Sequence, residues 1–197
     1  HPSQSGLGAA TAPGDIRFKD INGDGIININ DRTNVGSPLP EFTLGFNTTI
    51  NYKNVDFTAY SYASVGNEMV RNYERTLSDL NRLDYVLDRW TGEGTSNKYP
   101  RLVLGDTNNW VVSDLYVHDG SYFRIKNISL GYTIPSMITK KFFIDRIRFY
   151  VMAENLVTWT KYWGFDPEIS SGGTSLGIDR GIYPQARTWT IGVNVTF

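Results

Sequence analysis

The sequence has 197 residues, a formal net charge of −1, two histidines and no cysteine. The near-neutral charge gives no reason to expect a nucleic-acid partner. The lack of cysteine in the chain excludes disulfides, thiolate zinc sites and cysteine nucleophiles within it. No stretch approaches the roughly 18 consecutive apolar residues of a membrane-spanning helix.

The first part of the chain, residues 1–40, has the composition of a loop. It begins with the Ser-, Gly- and Ala-rich run "HPSQSGLGAATAPG" and ends in a segment that contains Pro38 and Pro40. Clusters of such turn-forming residues favour irregular structure. We therefore predict that residues 1–40 form a loop and that residues 41–197 hold the strands.

Within this loop, the segment "DINGDGIININD" has the spacing of a calcium-binding loop. Gly25 occupies the sharp turn, and the apolar Ile27 is placed to anchor the loop to the fold. The candidate oxygen ligands are Asp20, Asn22, Asp24, the carbonyl of Ile26, Asn28 and Asp31. Position 12 holds Asp instead of the usual Glu, and no helix precedes the loop, so a paired EF-hand is not expected. The sequence predicts a structural Ca²⁺ site, and the alternative is an Asx-rich turn that needs no metal.

Five later stretches alternate apolar and polar residues with the period of a β-strand that has two different faces. They are residues 42–52, 55–62, 121–135, 146–159 and 187–197. The first two are separated only by the Lys53-Asn54 turn and are predicted to form a hairpin. In the last stretch the apolar face is formed by Trp189, Ile191, Val193, Val195 and Phe197.

The long connection after the hairpin shows a different period. Apolar residues recur there at a spacing of three to four until Gly92 ends the pattern; they include Met69, Tyr73, Leu77, Leu80, Leu87 and Trp90. This spacing predicts an amphipathic helix, or a broken pair of helices, inside the connection.

The connections between the five stretches alternate between long and short. In an up-and-down antiparallel sheet, all the long ones would leave one rim and both short ones the other. Transmembrane barrels sort their connections in this way, with long extracellular loops and short periplasmic turns. Five strands cannot close such a barrel, since about eight is the minimum, so we expect further strands N-terminal to His1. A soluble β-protein with ordinary core aromatics is the alternative that the pattern alone leaves open.

Four blocks of the sequence closely resemble the C-terminal part of the SusC/RagA family of TonB-dependent transporters. The resemblance runs from Pro13 to Phe197, with the blocks in the order and spacing of the family. The blocks are "PGDIRFKDINGDGIININDR", "DGSYFRIKNISLGYTIP", "ENLVTWTKYWGFDPE" and "GIYPQARTWTIGVNVTF".

The resemblance implies an all-β fold: the last five antiparallel strands of a 22-stranded barrel, with long extracellular loops, one of which contains a helix. It places the protein in the outer membrane of a Gram-negative bacterium, with lipid around the barrel. It implies active import of large nutrients, either oligosaccharides or peptides, and no enzymatic activity. The implied partners are the rest of the barrel and its plug, a SusD-like surface lipoprotein, and TonB acting through the absent N-terminal region.

The resemblance also implies a role for the last strand. Trp189, Ile191, Val193, Val195 and the terminal Phe197 are expected to form the signal that the barrel-assembly machinery recognises, with their apolar face against lipid. Two hypotheses from other classes compete with the transporter. One is a soluble, calcium-stabilised β-sandwich that binds carbohydrate, and the other is an adhesion or docking module that uses the Asp20–Asp31 loop.

Overall fold

A computed structural model describes residue 4 and residues 11–73, 81–105, 108–169 and 175–197. The chain forms two compact units. One comprises His1–Val35 and Asn72–Val117, and the other comprises Gly36–Arg71 and His118–Phe197. Among the described residues, no helix has the length and apolar character needed to span a bilayer.

The second unit is built on a five-stranded antiparallel sheet. Its strands occupy Phe42–Tyr52 (β1), Val55–Val65 (β2), Tyr122–Thr133 (β5), Arg146–Thr160 (β6) and Thr188–Thr196 (β8). The remaining strands are Glu68–Arg71 (β3), Val117–Asp119 (β4) and Ile178–Asp179 (β7). The strand order in the large sheet is β1-β2-β5-β6-β8, with every neighbouring pair antiparallel. The five predicted strands and their up-and-down order are thus confirmed.

Two short connections lie at one end of this sheet. β1 and β2 are joined by Lys53 and Asn54, and Lys53 has the positive φ of 52° that a two-residue turn demands. β5 and β6 are joined by residues 134–145, which contain a four-residue α-helix, Ser136–Thr139 (α1), and a 3₁₀ turn, Lys140–Phe142. The connections from β2 to β5 and from β6 to β8 are long and leave the opposite end.

The large sheet has one apolar face and one polar face. Residues directly opposite each other in an antiparallel ladder point to the same side, so the register assigns every strand. The apolar face includes Phe46, Ile50, Phe57, Leu130, Phe149, Val151, Ile191 and Val193. Within these fully described strands it carries no charged residue, whereas Asp56, Arg124, Arg148 and Glu154 lie on the polar face.

Irregularities in β5 and β6 keep this division intact. Ile125 pairs with Val157, whereas Asn127 pairs with Glu154, so both strands carry extra residues at this point. The shift lets Ile125 and Ile128 share the apolar face although they are three residues apart. Without a bulge, strict alternation would have sent one of them to the polar side.

On the polar face, Gly131 gives room for an ion pair that passes over the middle strand. The Arg148 Nε donates to Asp56 Oδ1 at 2.9 Å, and Nη2 donates to Oδ2 at 2.5 Å. Asp56 is on β2 and Arg148 is on β6, with β5 between them. A Cβ atom on Gly131 would lie 2.4 Å from Arg148 Nη2 and 2.5 Å from each Asp56 carboxylate oxygen. The missing side chain therefore permits a direct β2–β6 contact.

A second, smaller sheet has the order β4-β3-β7. The helix predicted from Met69 onward is wrong at its start, because Glu68–Arg71 is strand β3, in which Met69 and Arg71 are buried and their neighbours are less so. That alternation has a period of two. Farther on, Asp84–Asp88 forms a 3₁₀ turn. Residues 74–80, in the middle of the predicted helix, lie outside the described residues.

The first unit contains short 3₁₀ turns at Ile29–Asp31, Asp84–Asp88 and Asp114–Tyr116. The side chain of Asp15 in this unit is 3 % exposed, and its Oδ1 lies 2.6 Å from the Arg101 Nε. Burial alone disfavours the Asp15 carboxylate, but hydrogen bonds from Arg101, the Ala12 N–H and Asn109 outweigh it and lower its pKa. Asp15 is therefore ionised and joins residues that are distant in sequence.

We predict that Gly131→Ala destabilises the protein by about 1–3 kcal/mol, because the added methyl group forces the Asp56–Arg148 pair apart. Gly45→Ala is the matched control on the same face. Its Cβ would meet its nearest neighbour, the Tyr60 hydroxyl, at an ordinary 3.7 Å. Urea unfolding measures the midpoints of both variants, and equal midpoints would contradict the prediction.

Candidate functional site

The predicted calcium loop is folded around its own side-chain oxygens. The Asp20 carboxylate accepts the N–H groups of Gly23 at 2.7 Å and Gly25 at 2.8 Å. The Asn22 side chain accepts the Asp24 N–H, and the Asp24 side chain accepts the Ile26 N–H. Gly23 and Gly25 have φ values of 76° and 83°, in the left-handed region that glycine tolerates best. The buried Ile27 follows directly, as the sequence predicted.

The last part of the loop closes back onto its first part. Asn28 caps the Ile29–Asp31 turn, and the Asp31 carboxylate accepts the N–H groups of Asn28 at 2.8 Å and Ile21 at 2.9 Å. These hydrogen bonds, that of Asn28 first, lower the pKa of the Asp31 carboxyl below its usual value. The Asp31 Oδ1 also accepts the Asn22 N–H at 3.5 Å. The loop therefore brings its first and last ligand candidates together.

The donor chemistry of this loop fits a hard cation in part. Its carboxylate, amide and carbonyl oxygens are the ligand atoms that Ca²⁺ prefers. Among the described residues, however, no group of three or more His, Cys, Asp or Glu side chains is placed to hold a metal ion. A cation at this loop would therefore be bound by Asp20 and Asp31 together with amide and carbonyl oxygens.

The predicted assembly signal lies on an edge strand. Trp189, Ile191, Val193 and Val195 pair with Ala153, Val151, Phe149 and Ile147 of β6, and all of them share the apolar face. Their side chains are exposed: Ile191 is 85 % accessible and Val193 51 %. Phe197 follows the last residue of β8 and is likewise exposed. β8 thus presents an uncovered row of apolar side chains.

A charged cluster on the polar face went unrecognised in the sequence. Arg124 of β5 is 3 % exposed in its side chain and makes three contacts. Its Nε donates to the Thr158 hydroxyl at 2.7 Å, Nη1 to Glu168 at 2.7 Å and Nη2 to Asp166 at 2.6 Å. The Lys126 ammonium also binds Glu168. All charges of the Arg124 cluster (Arg124, Lys126, Asp166 and Glu168) are therefore paired, as buried charges must be.

This cluster fixes the start of the long β6–β8 connection against the sheet. The second oxygen of Asp166 accepts the Gln185 N–H at 2.9 Å, so both ends of the connection meet at one carboxylate. The sequence carries a signal for it: "RIK" in β5 and "DPE" in the connection each place two like charges two residues apart. The opposite signs and equal spacings are complementary.

A second cluster joins the small sheet to the same connection. Arg71 stacks on the Trp163 ring at 4.0 Å, and His118 meets that ring edge-on at 5.4 Å. The Tyr162 hydroxyl donates to the buried Asp179 at 2.5 Å. Arg71 of β3 and Asp179 of β7 are neighbours in a parallel ladder. These polar and cation–π contacts, together with the buried Met69 of β3, hold the small sheet.

The first unit also contains a cavity of about 650 Å³, lined by residues that include Asp15, Trp90, Lys98, Tyr99 and Asp114. Gly14 lies against the Trp90 ring, and a Cβ atom added to Gly14 would be 2.3 Å from Trp90 Cε3. The lining mixes aromatic rings with both signs of charge. It has the size of a small-ligand site, but the Asp15 carboxylate in its wall is already bound to Arg101.

Comparison with known proteins places the chain in a family. No family model matches it. It is 37 % identical, over 97 % of its length, to TonB-dependent receptor P3 of Formosa agariphila, and 28 % identical over 91 % to TonB-dependent receptor SusC of Bacteroides thetaiotaomicron. The chain belongs to the SusC/RagA-like TonB-dependent transporters.

The structural comparison agrees with this assignment. A solved structure of the RagAB peptide importer in a closed-closed state matches 82 % of the chain with a TM-score of 0.67 and 29 % identity. The chain of this SusC/RagA-like transporter spans about a fifth of the length of the curated relatives, 20 % of receptor P3 and 17 % of SusC. It also covers 18 % of the matched RagAB chain.

We predict that Arg124→Met frees the β6–β8 connection. Removing Arg124 leaves the buried Asp166 carboxylate without its cationic partner, which typically costs about 3–5 kcal/mol, whereas Glu168 keeps Lys126. Hydrogen exchange of the full-length transporter should become faster at the amides of Glu168 and Gln185, which donate to Asp166.

Arg180→Met is the control, because the exposed Arg180 side chain makes only a long 3.5 Å hydrogen bond to Ser175 among the described contacts. It should leave both amides unchanged. Exchange at Glu168 and Gln185 that is the same in Arg124→Met and wild type would show that Arg124 does not hold the connection.

Proposed function

We propose that the chain is part of an outer-membrane, TonB-dependent active importer of large nutrients. The observation that carries the proposal is the uncharged apolar face, which continues across all five strands of the large sheet. Transmembrane barrels have such a face toward lipid and a polar face toward the lumen. Family membership and the sorting of long and short connections to opposite ends support the same conclusion.

The competing β-sandwich needs a second layer that covers the apolar face. In the described residues, Ile191, Val193 and Val195 remain exposed instead of being packed against a second sheet. Loss of water contact is what makes apolar burial favourable. A soluble domain would leave this stabilisation unused over a whole sheet, so a lipid environment is the better explanation.

In hydrocarbon, the sheet also needs neighbours on both sides. β1 and β8 are its two edges, and an unpaired backbone group in a bilayer costs several kcal/mol. We infer that further strands of the same protein pair with both edges and close a barrel, for which the family implies 22 strands and a plug.

The partners and cargo are inferred from the family. A SusD-like surface lipoprotein would cover the long-connection end, and TonB would act through the part of the protein outside this chain. Oligosaccharides and peptides are the two candidate cargoes, and the resemblance to a peptide importer makes peptides the first to test. Uptake of labelled peptides that stops on deletion of TonB would support this function.

We predict that Ile191→Lys and Val193→Lys each destabilise the protein by about 2–4 kcal/mol, because a charge would enter the hydrocarbon region. Thr190→Lys is the control, since Thr190 directly precedes Ile191 and lies on the polar face of the same strand. Urea titration of the full-length protein in vesicles compares the three, and an equally large loss for Thr190→Lys would refute the lipid-facing assignment.

We further propose that the Asp20–Asp31 loop binds Ca²⁺ as a structural staple. The backbone wraps around the Asp20 carboxylate, and Asp31 folds back onto Ile21 beside it, so a cation bound there would be near both carboxylates. Asn22, Asp24, the Ile26 carbonyl and Asn28 would complete the oxygen shell. When bound, Ca²⁺ would neutralise the carboxylate pair and rigidify the loop.

Calorimetric titration of the chelator-treated transporter should show Ca²⁺ binding with a Kd of about 10⁻⁴–10⁻³ M, the range of weak extracellular sites. Asp20→Ala should remove one binding event, whereas Asp88→Ala, an exposed acidic residue outside the loop, should not. If wild type and Asp20→Ala release the same heat, the loop is an Asx-rich turn without a metal.

A further inference from the structure

The short connection between β5 and β6 exposes a dense set of apolar side chains. Met137 is 81 % exposed, Phe142 68 % and Phe143 93 %, with Ile138 at 51 %. Together with Lys140 and Lys141 they form what we call the connection patch. Nothing in the SusC/RagA resemblance, the calcium loop or the Arg124 cluster accounts for it.

The connection patch is ordered by its own backbone. The Thr139 side chain is buried, and its hydroxyl reaches the carbonyls of Ser136 and Asp145 at 3.4 Å. The Ile144 N–H donates to the Thr139 carbonyl at 3.3 Å, closing the turn. The rings are therefore presented by a hydrogen-bonded turn, and their exposure follows from its geometry.

The position of Phe143 adds to this. Its φ is 58°, in the left-handed region that a bulky residue rarely adopts and where glycine is preferred. A strained position of this kind persists where the side chain has a use. Here the retained side chain is the most exposed aromatic ring of the connection patch.

The connection patch lies at the short-connection end of the sheet, next to the ends of β6 and β8. The Asp145 N–H donates to the Thr196 carbonyl at the end of β8, at 2.9 Å, and the Ile134 N–H donates to Ile147 at 2.9 Å. The neighbouring end of the apolar face is aromatic, with Tyr132 paired with Phe149. Aromatic side chains are enriched where a membrane protein meets the lipid–water interface.

The charges at this end are complementary to phospholipid phosphates. The two short connections carry Lys53, Lys140 and Lys141, against a single acidic residue, Asp145. The Lys53 ammonium lies 5.3 Å from the Tyr52 ring centre, next to the exposed end of the apolar face. Apolar rings beside lysines are the combination found in segments that lie in the membrane interface.

We propose that the connection patch is a lipid-binding anchor at the short-connection rim. Met137, Phe142 and Phe143 enter the headgroup–acyl boundary of the adjoining leaflet, and Lys140 and Lys141 bind the phosphates of anionic phospholipids. This rests on the proposed function, since it requires the apolar face to lie in a membrane. It adds a specific lipid class and a specific contact that a barrel wall alone does not provide.

The test uses the full-length transporter with any cysteine outside this chain replaced, because the chain itself has none. An environment-sensitive fluorophore is attached to Phe143→Cys or, in a second variant, to Met137→Cys. The protein is placed in phosphatidylcholine–phosphatidylglycerol vesicles in which one of the two lipids is brominated. Fluorophores at Val193→Cys and Asn194→Cys report the apolar and the polar face of the sheet.

We expect strong quenching at positions 143 and 137, greater with brominated phosphatidylglycerol than with brominated phosphatidylcholine. The preference for phosphatidylglycerol should fall about fivefold for each of Lys140→Gln and Lys141→Gln. Lys161→Gln, an exposed lysine just beyond the other end of β6, should leave the preference unchanged.

Quenching at position 193 without quenching at 143 and 137 would overturn the anchor and leave the membrane assignment intact. Blue-shifted emission at these two sites would then identify a covering protein segment, and water-like emission would identify an exposed rim; both outcomes exclude lipid binding. No quenching at position 193 would overturn the membrane assignment itself and the anchor with it.

Discussion

Backbone hydrogen bonding is the constraint on which this structure depends. Inside a bilayer there is no water to satisfy an N–H or C=O group, so every strand must have a neighbour on both sides. Within the large sheet the ladders satisfy β2, β5 and β6, while β1 and β8 each keep an open edge. The proposed lipid environment would also account for the uncharged apolar face, because a charged side chain there would meet hydrocarbon.

The polar side of the sheet follows opposite rules. Here charges are present, and two groups of them are paired: Asp56 with Arg148 across a glycine, and Arg124 with Asp166 and Glu168. Each pair joins segments that the main-chain ladder does not connect, namely β2 with β6 and β5 with the β6–β8 connection. The apolar face therefore suits the environment of the sheet, whereas the polar face determines how strands and connections are held together.

Much of this architecture was predictable from sequence, for a physical reason. A half-buried strand needs side chains that alternate over eight or more residues, and all five long strands have them; even the bulge near Lys126 only shifts the phase. β3, β4 and β7 have four, three and two residues, too few to show a period. Met69 therefore fits the three-to-four apolar spacing that predicts a helix, although the structure places it in β3, where burial alternates.

The candidate sites likewise differ in how well the sequence predicts them. The Asp20–Asp31 loop is local, so its turn geometry follows from spacing alone, and Gly25 and Ile27 take the expected positions. The Arg124 cluster joins Arg124 to Asp166 and Glu168, which lie 42 and 44 positions later in the sequence. Such a contact depends on strand register and on the path of a long connection, which a single sequence does not specify, and its only trace is the matching spacing of like charges.

The tether at Asp166 has a consequence for any solute that travels along the polar face. Because one carboxylate holds both ends of the β6–β8 connection, the entropy of ordering those ends is lost during folding and not at each encounter. In the proposed importer, a molecule that reaches Asp166 and Gln185 would therefore meet residues that are already ordered.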